Sequence, residues 1–480
     1  MITLITTNHM APLVGPVGLD YLAGAAGRAG LEADIVDLPL ANDAEKELEN
    51  YFAKHDPELV GLTFRNVDDC FWPSGQWFVP DLKETVEKIR PLTDAPIVLG
   101  GVGFSIYAER IVEHVGADFG IRGDGEAALV TLVNELRGGR RFEKVEGLIW
   151  QDKDNVYANR PAWPPELSLP TQRDAIDNRA YFARGGQGGL ETKRGCDRQC
   201  IYCADHLAKG RRLRLRRPAE AADEVQALLN QRVDVLHLCD AEFNIPRVHA
   251  LAVCEEFIRR GLGRRLRWYA YLAVTPFDAE LAQTMRRAGC VGINFTGDAG
   301  CDAMLQRYRQ SHRKEQLAQT VRLCRENDIK VMVDLLLGGP GETQETAAQT
   351  IAFIKQINPD GAGAALGIRV YPGTVMAQLV SREGDWAGNP NLHRHYKGPV
   401  DWFRPTFYIS KALGEHSARF VRDLIGNDER FLKPTEPQEL TASGHTDNDH
   451  NYNDNTELVG AIEKGARGAY WDILLGLRRG

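Results

Sequence analysis

The stretch Lys193-Arg194-Gly195-Cys196-Asp197-Arg198-Gln199-Cys200-Ile201-Tyr202-Cys203 carries three cysteines in the spacing C-x₃-C-x₂-C. Three thiolates on one tight loop can bind three irons of a cubane cluster, whereas a closed iron–sulfur or zinc site requires four protein ligands. Cys196, Cys200 and Cys203 therefore predict a [4Fe-4S] cluster with one iron left open. The alternative is a zinc site completed by His206 or by a remote cysteine.

The cysteine stretch directly follows the first of six strand candidates, and a helical pattern follows each candidate. The six strands are Leu190–Lys193, Val235–Leu238, Arg267–Leu272, Val291–Phe295, Val331–Leu337 and Ala364–Val370. Six βα units in one block predict a partial (β/α)6 barrel, similar to a TIM barrel, over residues 185–375. Such barrels carry their chemistry at the carboxyl ends of the strands, so the position of the cysteines favours the open cluster over a structural zinc site.

Residues 1–137 alternate short β-rich runs with helical patterns in the same way. The candidate strands are Ile2–Thr6, Asp34–Asp37, Leu59–Thr63, Ile97–Leu99 and Phe119–Arg122. This alternation predicts an α/β domain with a flavodoxin-like, doubly wound parallel sheet. Such sheets bind ligands in the crevice at the carboxyl ends of their strands, so we expect a ligand-binding domain here.

Two other segments lack this alternation. Residues 138–184 contain four closely spaced prolines and are expected to form a linker. Residues 376–480 are expected to form an irregular, mostly helical C-terminal region that caps the substrate. Within it, Gly444–Asn455 predicts a polar loop and Leu458–Leu477 predicts a terminal helix.

The composition restricts the setting of the protein. Of its 480 residues, 43% are hydrophobic, which is enough for two or three packed domains. The 58 basic and 66 acidic side chains leave a net charge of −8, so neither nucleic acid nor a membrane is expected as a partner. Nine cysteines are too few for a disulfide scaffold, and no apolar run approaches the ~20 residues that span a bilayer. We therefore expect a cytoplasmic protein.

The cysteine triplet, with the aromatic Tyr202 just before its third cysteine, resembles the motif of radical SAM enzymes. The resemblance covers residues 185–375. It implies that the open iron chelates the amino and carboxylate groups of S-adenosylmethionine (SAM). It also implies that one electron, from an external donor such as flavodoxin or ferredoxin, cleaves SAM to a 5′-deoxyadenosyl radical.

The same resemblance implies a SAM site at the ends of the later strands. Asp240-Ala241-Glu242-Phe243-Asn244 resembles the Gly-Gly-Glu motif of the family, with Glu242 placed to accept hydrogen bonds from the SAM ammonium. Arg307 could pair with the methionyl carboxylate, and Gly339 lies in a turn suited to the adenine edge. The implied SAM-binding residues are Tyr202, Glu242, Asn244, Asn294, Thr296, Asp298, Arg307, Gly339 and Arg369.

Residues 1–137 resemble the cobalamin-binding domain of the B12-dependent branch of radical SAM enzymes. Small residues at strand ends let a flat macrocycle lie against them, and Arg65 and Asn66 are candidates for the lower cobalt face or the corrin amides. The implied cobalamin-binding residues are Pro16, Arg65, Asn66, Gly100, Gly101, Gly103, Phe104, Gly123, Gly125 and Glu126. Methylthiotransferases resemble this arrangement but carry three cysteines for a second cluster in their first domain. Residues 1–150 here contain only Cys70, which argues against that family.

Together these features predict a cobalamin-dependent radical SAM methyltransferase that acts on an unactivated carbon of a small molecule or natural product. The substrate would lie between corrin and cluster, lined by Tyr271, Tyr371, His393, Tyr396 and Trp402. Two alternatives stay open. One is a non-methylating B12 radical SAM enzyme that catalyses anaerobic ring cyclisation or rearrangement, and the other is an iron–sulfur electron-transfer or scaffold protein.

Overall fold

Two parallel sheets dominate the computed structural model, which describes residues 1–8, 10–153, 155–161, 163–384, 386–440 and 450–479. The first part of the predicted polar loop over Gly444–Asn455, up to position 449, lies outside the described residues. None of the described helices is both long enough and apolar enough to cross a membrane.

The N-terminal domain is built around a seven-stranded sheet. Its strands are β1 (Ile2–Thr6), β2 (Ala33–Asp37), β3 (Leu59–Thr63), β4 (Ile97–Gly100), β5 (Phe119–Ile121), β6 (Leu148–Asp152) and β7 (Asn155–Ala158). Its helices are α1 (Val17–Arg28), α2 (Ala44–Phe52), α3 (Val79–Ile89), α4 (Val102–Ile106), α5 (Ala108–Val115) and α6 (Glu126–Arg137). The parallel part has the order β2-β1-β3-β4-β5, which is the flavodoxin order and confirms the predicted doubly wound domain.

β6 and β7 correct the predicted linker. They pair antiparallel and extend the first sheet beyond β5, so the domain reaches Ala158 instead of residue 137. The hairpin lies at the sheet edge, and most of its residues after Ile149 are exposed. Its sequence therefore lacks the apolar run by which a buried strand is recognised. Helix α7 (Asn178–Gly185) then leads into the second sheet.

The second sheet is a partial barrel. The strands that follow α7 are β8 (Gly188–Leu190), β9 (Lys193–Arg194), β10 (Arg214–Leu215), β11 (Val235–Leu238), β12 (Arg267–Leu272), β13 (Cys290–Asp298), β14 (Lys330–Leu337) and β15 (Gly361–Leu366). The helices are α8 (Asp205–Lys209), α9 (Pro218–Asn230), α10 (Arg247–Arg259), α11 (Ala279–Arg287), α12 (Asp302–Arg307), α13 (Lys314–Glu326) and α14 (Gln344–Ile357). β9 and β10 form an antiparallel pair around the cysteine loop, and the other six strands are parallel neighbours.

The C-terminal region adds a seventh strand to the barrel. Its elements are β16 (Ile368–Arg369), α15 (Val375–Arg382), β17 (Leu392–His393), β18 (Phe407–Tyr408), α16 (Ser417–Ile425), β19 (Phe431–Leu432), α17 (Thr456–Glu463) and α18 (Tyr470–Arg479). β19 pairs with β15, whereas the sequence indicated six strands only. The single terminal helix predicted over Leu458–Leu477 is two helices, α17 and α18, separated by glycines with positive φ.

A buried network of charges joins the N-terminal domain to the barrel. Arg173, from the segment between the two sheets, bonds to Asp20 of α1 and lies 2.6 Å from Glu224 of α9. Arg216 pairs with the same Glu224, and all four side chains are almost wholly buried. Two cations thus balance two carboxylates, which a low-dielectric interior requires. The network sets the orientation of the two sheets.

Candidate active site

Cys196, Cys200 and Cys203 lie on the loop between β9 and α8. The loop starts at Gly195, whose φ is +88° and whose position leaves no room for a Cβ beside the Arg212 carbonyl oxygen. Among the described residues, no group of three or more His, Cys, Asp or Glu side chains is arranged to hold a metal ion.

The surroundings of the three thiols fit iron ligands. Burial raises the pKa of all three, that of Cys200 to about 12, so a bound cation is needed to ionise them at neutral pH. Metal ligation deprotonates a thiol outright. Gln310 Nε2 lies 3.3 Å from Cys200 Sγ, and the Asp205 amide lies 3.4 Å from Cys203 Sγ. Such N–H groups stabilise the charge of cluster sulfurs.

Tyr202 connects the cysteine loop to the end of β13. Its hydroxyl donates to Asp298 Oδ2 at 2.6 Å, and the side-chain amide of Gln310 bonds to the same oxygen. Burial raises the pKa of Asp298 to about 7, against the lowering effect of the Tyr202 hydrogen bond. Two of the predicted SAM-binding residues, Tyr202 and Asp298, are therefore held together beside the cluster cysteines.

Glu242 has one hydrogen-bonded oxygen and one that no described protein group uses. The Thr296 hydroxyl donates to its Oε1 at 2.9 Å, while its Oε2 is buried without a hydrogen-bond partner among the described residues. Burial raises the pKa of Glu242 to about 7, with Thr296 and Lys193 acting in the opposite direction. A buried, unpaired acceptor is the feature expected of a group that binds a ligand cation such as the SAM ammonium.

Asn244 corrects one of the predictions. Its Nδ2 donates to the carbonyls of Ala273 and Pro276 at 2.8 and 2.6 Å, and its Oδ1 accepts from the Ala273 amide. Asn244 therefore ties the loop after β11 to the loop after β12, and its amide is not available to SAM. Asn294 does face the barrel interior, where its amide lies 3.4 Å from Asp334 Oδ2.

Arg369 also has a structural role in place of the predicted SAM contact. Its buried guanidinium pairs with Asp68 of the N-terminal domain at 2.8 Å. It donates in addition to the carbonyls of Val370 and Trp402, so its donors are used within the protein. The sequence could not show this, because the partner carboxylate lies in the other domain.

Gly339 and Arg307 lie on neighbouring elements at the same end of the barrel. A Cβ at Gly339 would overlap the hydroxyl of Tyr308, so this glycine makes room for a buried side chain instead of for adenine. Arg307 is exposed on α12, with its guanidinium against Gly341. It remains a candidate partner for a ligand carboxylate.

A crevice at the carboxyl ends of β1 and β3 is the candidate cobalamin site. It contains a cavity of about 380 Å³ whose lining includes Asn8, Met10, Arg65 and Asn66. The side chains of Arg65 and Asn66 both lie over the Met10 sulfur, at 3.8 and 3.7 Å. The crevice therefore presents a cation and an amide at the place predicted for the corrin, which fits the amide-rich edge of that group.

Gly101 and Gly103 pack against the backbone of Phe64 and Asn66, next to this crevice. A Cβ at Gly101, where φ is +108°, would lie 2.6 Å from the Phe64 carbonyl oxygen. A Cβ at Gly103 would lie 2.8 Å from the backbone of Asn66. These two glycines thus allow α4 to pack closely against the loop that carries Arg65 and Asn66. The prediction was that their small size exposes a surface for the macrocycle, and this close packing corrects it.

Other predicted cobalamin contacts are used inside the protein. Phe104 is wholly buried in the core of the N-terminal domain, so it cannot contact a ligand in the crevice. Glu126 pairs with Arg194 of β9 at 2.8 Å, in a further ion-pair contact between the domains. A Cβ at Gly123 would lie 2.9 Å from the Trp163 ring, and one at Gly125 would lie 3.1 Å from Leu22.

Pro16 and Gly100 keep the positions that the prediction requires. Pro16 precedes α1 and Gly100 ends β4, and both are half-buried. Apart from its chain neighbours, the only described atom within 4 Å of a Cβ built at Gly100 is the backbone oxygen of Ile121. These two positions stay predicted contacts of cobalamin.

Solvent reaches Tyr271 on β12 and Cys239 directly after β11, and we call the space beside them and His237 the barrel cavity. Solvent contacts part of the side chains of Tyr271 and Cys239. The protein around them nevertheless raises the pKa of both groups, that of Cys239 to about 11. Side chains that water reaches although protein surrounds them belong to a cavity wall. Burial also lowers the pKa of His237 to about 4, with help from the positive charge of Arg65. Arg65, which lines the crevice, is therefore close enough to this cavity for its charge to act on His237.

The other aromatic residues predicted to line the substrate divide into two groups. The hydroxyl of Tyr371 lies 2.8 Å from Sγ of Cys70. Solvent reaches Cys70, although the surrounding protein raises the pKa of its thiol. Tyr371 therefore borders the cavity. The remaining three pack against neighbouring side chains or backbone: His393 with Trp72, Tyr396 with Asp401, and Trp402 with Trp386. Ordinary packing accounts for these three, which corrects their predicted role.

Three residues that face the barrel interior were not predicted: His237, Asp334 and His450. His237 and Asp334 each interrupt an apolar strand, and a polar side chain at an alternate position of such a strand is a usable signal. His450 gives no such signal, because it belongs to the polar segment predicted as a loop. The described end of that segment is buried, where Asn451 Nδ2 donates to Asp69 Oδ2 at 3.0 Å.

Two known families match this chain. The Radical SAM superfamily matches residues 190–354, and the B12 binding domain matches residues 4–133. Tryptophan 2-C-methyltransferase of Streptomyces laurentii is 29% identical, and the alignment covers 98% of this chain and 95% of that protein.

Solved structures of one methyltransferase resemble the whole chain. The radical S-adenosylmethionine methyltransferase TsrM from Kitasatospora setae, with tryptophan substrate and the SAM analogue aza-SAM bound, is 30% identical. The TM-score is 0.91, over 100% of this chain and 98% of that one. TsrM with cobalamin and a [4Fe-4S] cluster bound is 28% identical with a TM-score of 0.88, over 100% and 97% of the two chains.

Proposed function

This chain belongs to the cobalamin-dependent radical SAM enzymes, and on that premise we propose that it methylates a carbon of the indole ring of tryptophan or of a closely similar amino acid. The observation that carries the proposal is similarity to tryptophan methyltransferases along the whole chain, including the C-terminal region, at 30% identity. A cyclase or an electron-transfer protein is less favoured, since neither accounts for the C-terminal region.

The arrangement of the predicted sites supports this chemistry. Cys196, Cys200 and Cys203 would hold the cluster, and Glu242 and Asp298 beside them would hold SAM. Arg65 and Asn66 would contact cobalamin in the crevice of the first domain. When bound, these cofactors supply an activated methyl group, and the protein supplies binding, orientation and exclusion of water.

The cavity between these sites suits an indole amino acid. Tyr271 and the His237 ring meet edge to face at 5.2 Å, and together they form an aromatic wall. The cavity opens toward Arg65, so a substrate held there lies between the cobalamin crevice and the cluster loop. Replacement of an aromatic hydrogen by a methyl group requires this placement, because the methyl donor and the substrate carbon must meet.

The test is anaerobic turnover of the fully reconstituted protein with SAM, cobalamin, a strong reductant and tryptophan. Mass analysis is expected to show a product heavier than tryptophan by one methylene group, with the extra carbon on the indole. A Cys203→Ala variant, which lacks one cluster ligand, is the control and is expected to be inactive. Absence of methylated product from tryptophan and from its ring-substituted analogues contradicts the proposal, as does a product altered only by oxidation or cyclisation.

The same samples assign the route of the reaction. 5′-Deoxyadenosine in an amount equal to the methylated product indicates that a hydrogen atom is abstracted from the substrate. Its absence, with methylation intact, indicates polar transfer in which the substrate carbon loses a proton.

A further inference from the structure

Asp334 places a carboxylate in the barrel interior, with one oxygen that makes no hydrogen bond within the described part of the chain. It lies in the middle of β14 between Val333 and Leu335, which are buried on the opposite face of the strand. Its Oδ2 lies 3.4 Å from the Asn294 amide, while its Oδ1 has no hydrogen-bond partner in the described part of the chain. No lysine or arginine among the described residues pairs with it. A carboxylate in such a position is costly unless a ligand supplies the missing donor.

His450 is held next to this carboxylate by all three parts of the chain. His450 Nε2 lies 3.3 Å from Asp334 Oδ1, and this is the one ion-pair contact of Asp334 within the described ranges. The imidazole fills the space that a Cβ at Gly363 of β15 would occupy, so this glycine forms a niche for it. Phe71 of the N-terminal domain and Tyr452 flank the ring at 5.7 and 5.4 Å. His450 is therefore fixed beside Asp334.

Asp334 faces the same cavity as the aromatic wall. Burial raises the pKa of Tyr271, and the negative charge of Asp334 raises it further, which places the carboxylate within electrostatic reach of the phenol. The side chains of Tyr271 and Asp334 are both reached by water. An aromatic wall with one carboxylate beside it is complementary to an indole that carries a cationic side chain.

We propose that Asp334 determines substrate specificity by accepting the α-ammonium group of the amino acid, and that His450 is a positioning residue that holds its carboxylate. The inference rests on the proposed function, since it assumes an amino-acid substrate in the barrel cavity. A charge-assisted N–H···O bond from the ammonium to Oδ1 satisfies the unpaired oxygen. Substrates that lack the ammonium leave the carboxylate desolvated and unpaired, and the enzyme discriminates against them.

The test compares tryptophan with indole-3-propionate, which keeps the indole and the carboxylate but lacks the ammonium. For the wild-type holoenzyme we expect the KM of indole-3-propionate to exceed that of tryptophan at least tenfold. In Asp334→Asn the KM of tryptophan rises at least tenfold, that of indole-3-propionate changes less than threefold, and the two become similar. Asp360→Asn removes a carboxylate that accepts from the Val331 amide outside the cavity, and it is expected to keep the wild-type ratio.

Three further variants address positioning. In Gly363→Ala the new Cβ displaces His450, and in His450→Ala the imidazole is absent. Both are expected to raise the KM of tryptophan several-fold without lowering kcat, while His450→Gln, which keeps an N–H donor, restores most of the affinity. Visible spectra of cluster and cobalamin show that each variant is folded and loaded.

The outcomes separate the inference from the proposed function. If the wild type methylates tryptophan and Asp334→Asn keeps the wild-type KM ratio, the inference is wrong and the proposed function stands. If the wild type methylates nothing in this series, the proposed function fails. In that case equilibrium binding of tryptophan and indole-3-propionate decides about Asp334, since equal affinity in wild type and variant overturns its role.

Discussion

Replacement of Arg173 by methionine tests whether the buried charge network joins the two domains. The variant removes the guanidinium that bonds to Asp20 and Glu224, and both carboxylates are almost wholly buried. Glu224 keeps Arg216, whereas Asp20 keeps one backbone donor, the Ala175 amide at 3.2 Å. Loss of one partner from a buried ion pair costs about 3–5 kcal/mol. An unfolding entropy of about 2.1 cal/mol/K per residue converts this cost into a fall in Tm of about 3–5 °C, if the 480 residues unfold together.

The assay is thermal unfolding followed by circular dichroism, with Arg247→Met as the matched control. Arg247 also bridges two carboxylates, those of Asp278 and Glu280, but on the surface, where such pairs contribute about 0.2–1 kcal/mol. Loss of both surface pairs is expected to lower Tm by no more than about 2 °C. Equal losses in the two variants would refute the reasoning, because burial would then make no difference to the ion pair.

The pH dependence of Tm provides a second check on Arg173→Met. Burial raises the pKa of Asp20 above 3.8, and Arg173 is the main group that lowers it. Without Arg173 the pKa of Asp20 rises further in the folded state. A carboxyl group with a raised folded pKa loses stability as the pH rises from its unfolded pKa to its folded one. The Tm deficit of Arg173→Met is therefore expected to be smaller at pH 5 than at pH 8, and a deficit that grows on acidification contradicts this account.

Three further predictions concern the cofactor sites. Cys200→Ser is expected to abolish the visible absorption of the reconstituted cluster and the SAM cleavage that depends on the cluster. If this variant shows the full absorption, Cys200 is not a cluster ligand. Because burial raises the pKa of Glu242 to about 7, SAM affinity is expected to rise as the pH increases through 7. Glu242→Gln is expected to bind SAM about tenfold more weakly and with a smaller pH dependence, since only Asp298 then still titrates near pH 7. Calorimetry at pH 6 and pH 8 measures both effects. Gly101→Ala places a Cβ 2.6 Å from the Phe64 carbonyl oxygen and is expected to weaken cobalamin binding at least tenfold in equilibrium dialysis. Gly30→Ala has a positive φ but open space around its Cβ, so it is the control and should leave cobalamin binding unchanged.

Several features of the chain could be predicted because they depend on near neighbours in sequence. Cys196, Cys200 and Cys203 lie on one loop, so their spacing alone limits the geometry of the ions they can bind. The apolar runs of β1 and β14 and the helical patterns between strands reflect burial directly, and they predicted the doubly wound sheet and the partial barrel. The edge hairpin of β6 and β7 escaped prediction because it is largely exposed.

The contacts between distant segments had to come from the folded molecule. Arg369 and Glu126 were assigned to ligands because their partners, Asp68 and Arg194, lie in the other domain and carry no local signal. His450 reaches Asp334 only because the C-terminal segment enters the barrel beside Gly363. Side chains of this kind are placed by close packing across interfaces, where a charge must meet its counterpart, and chain order contains no measure of that distance.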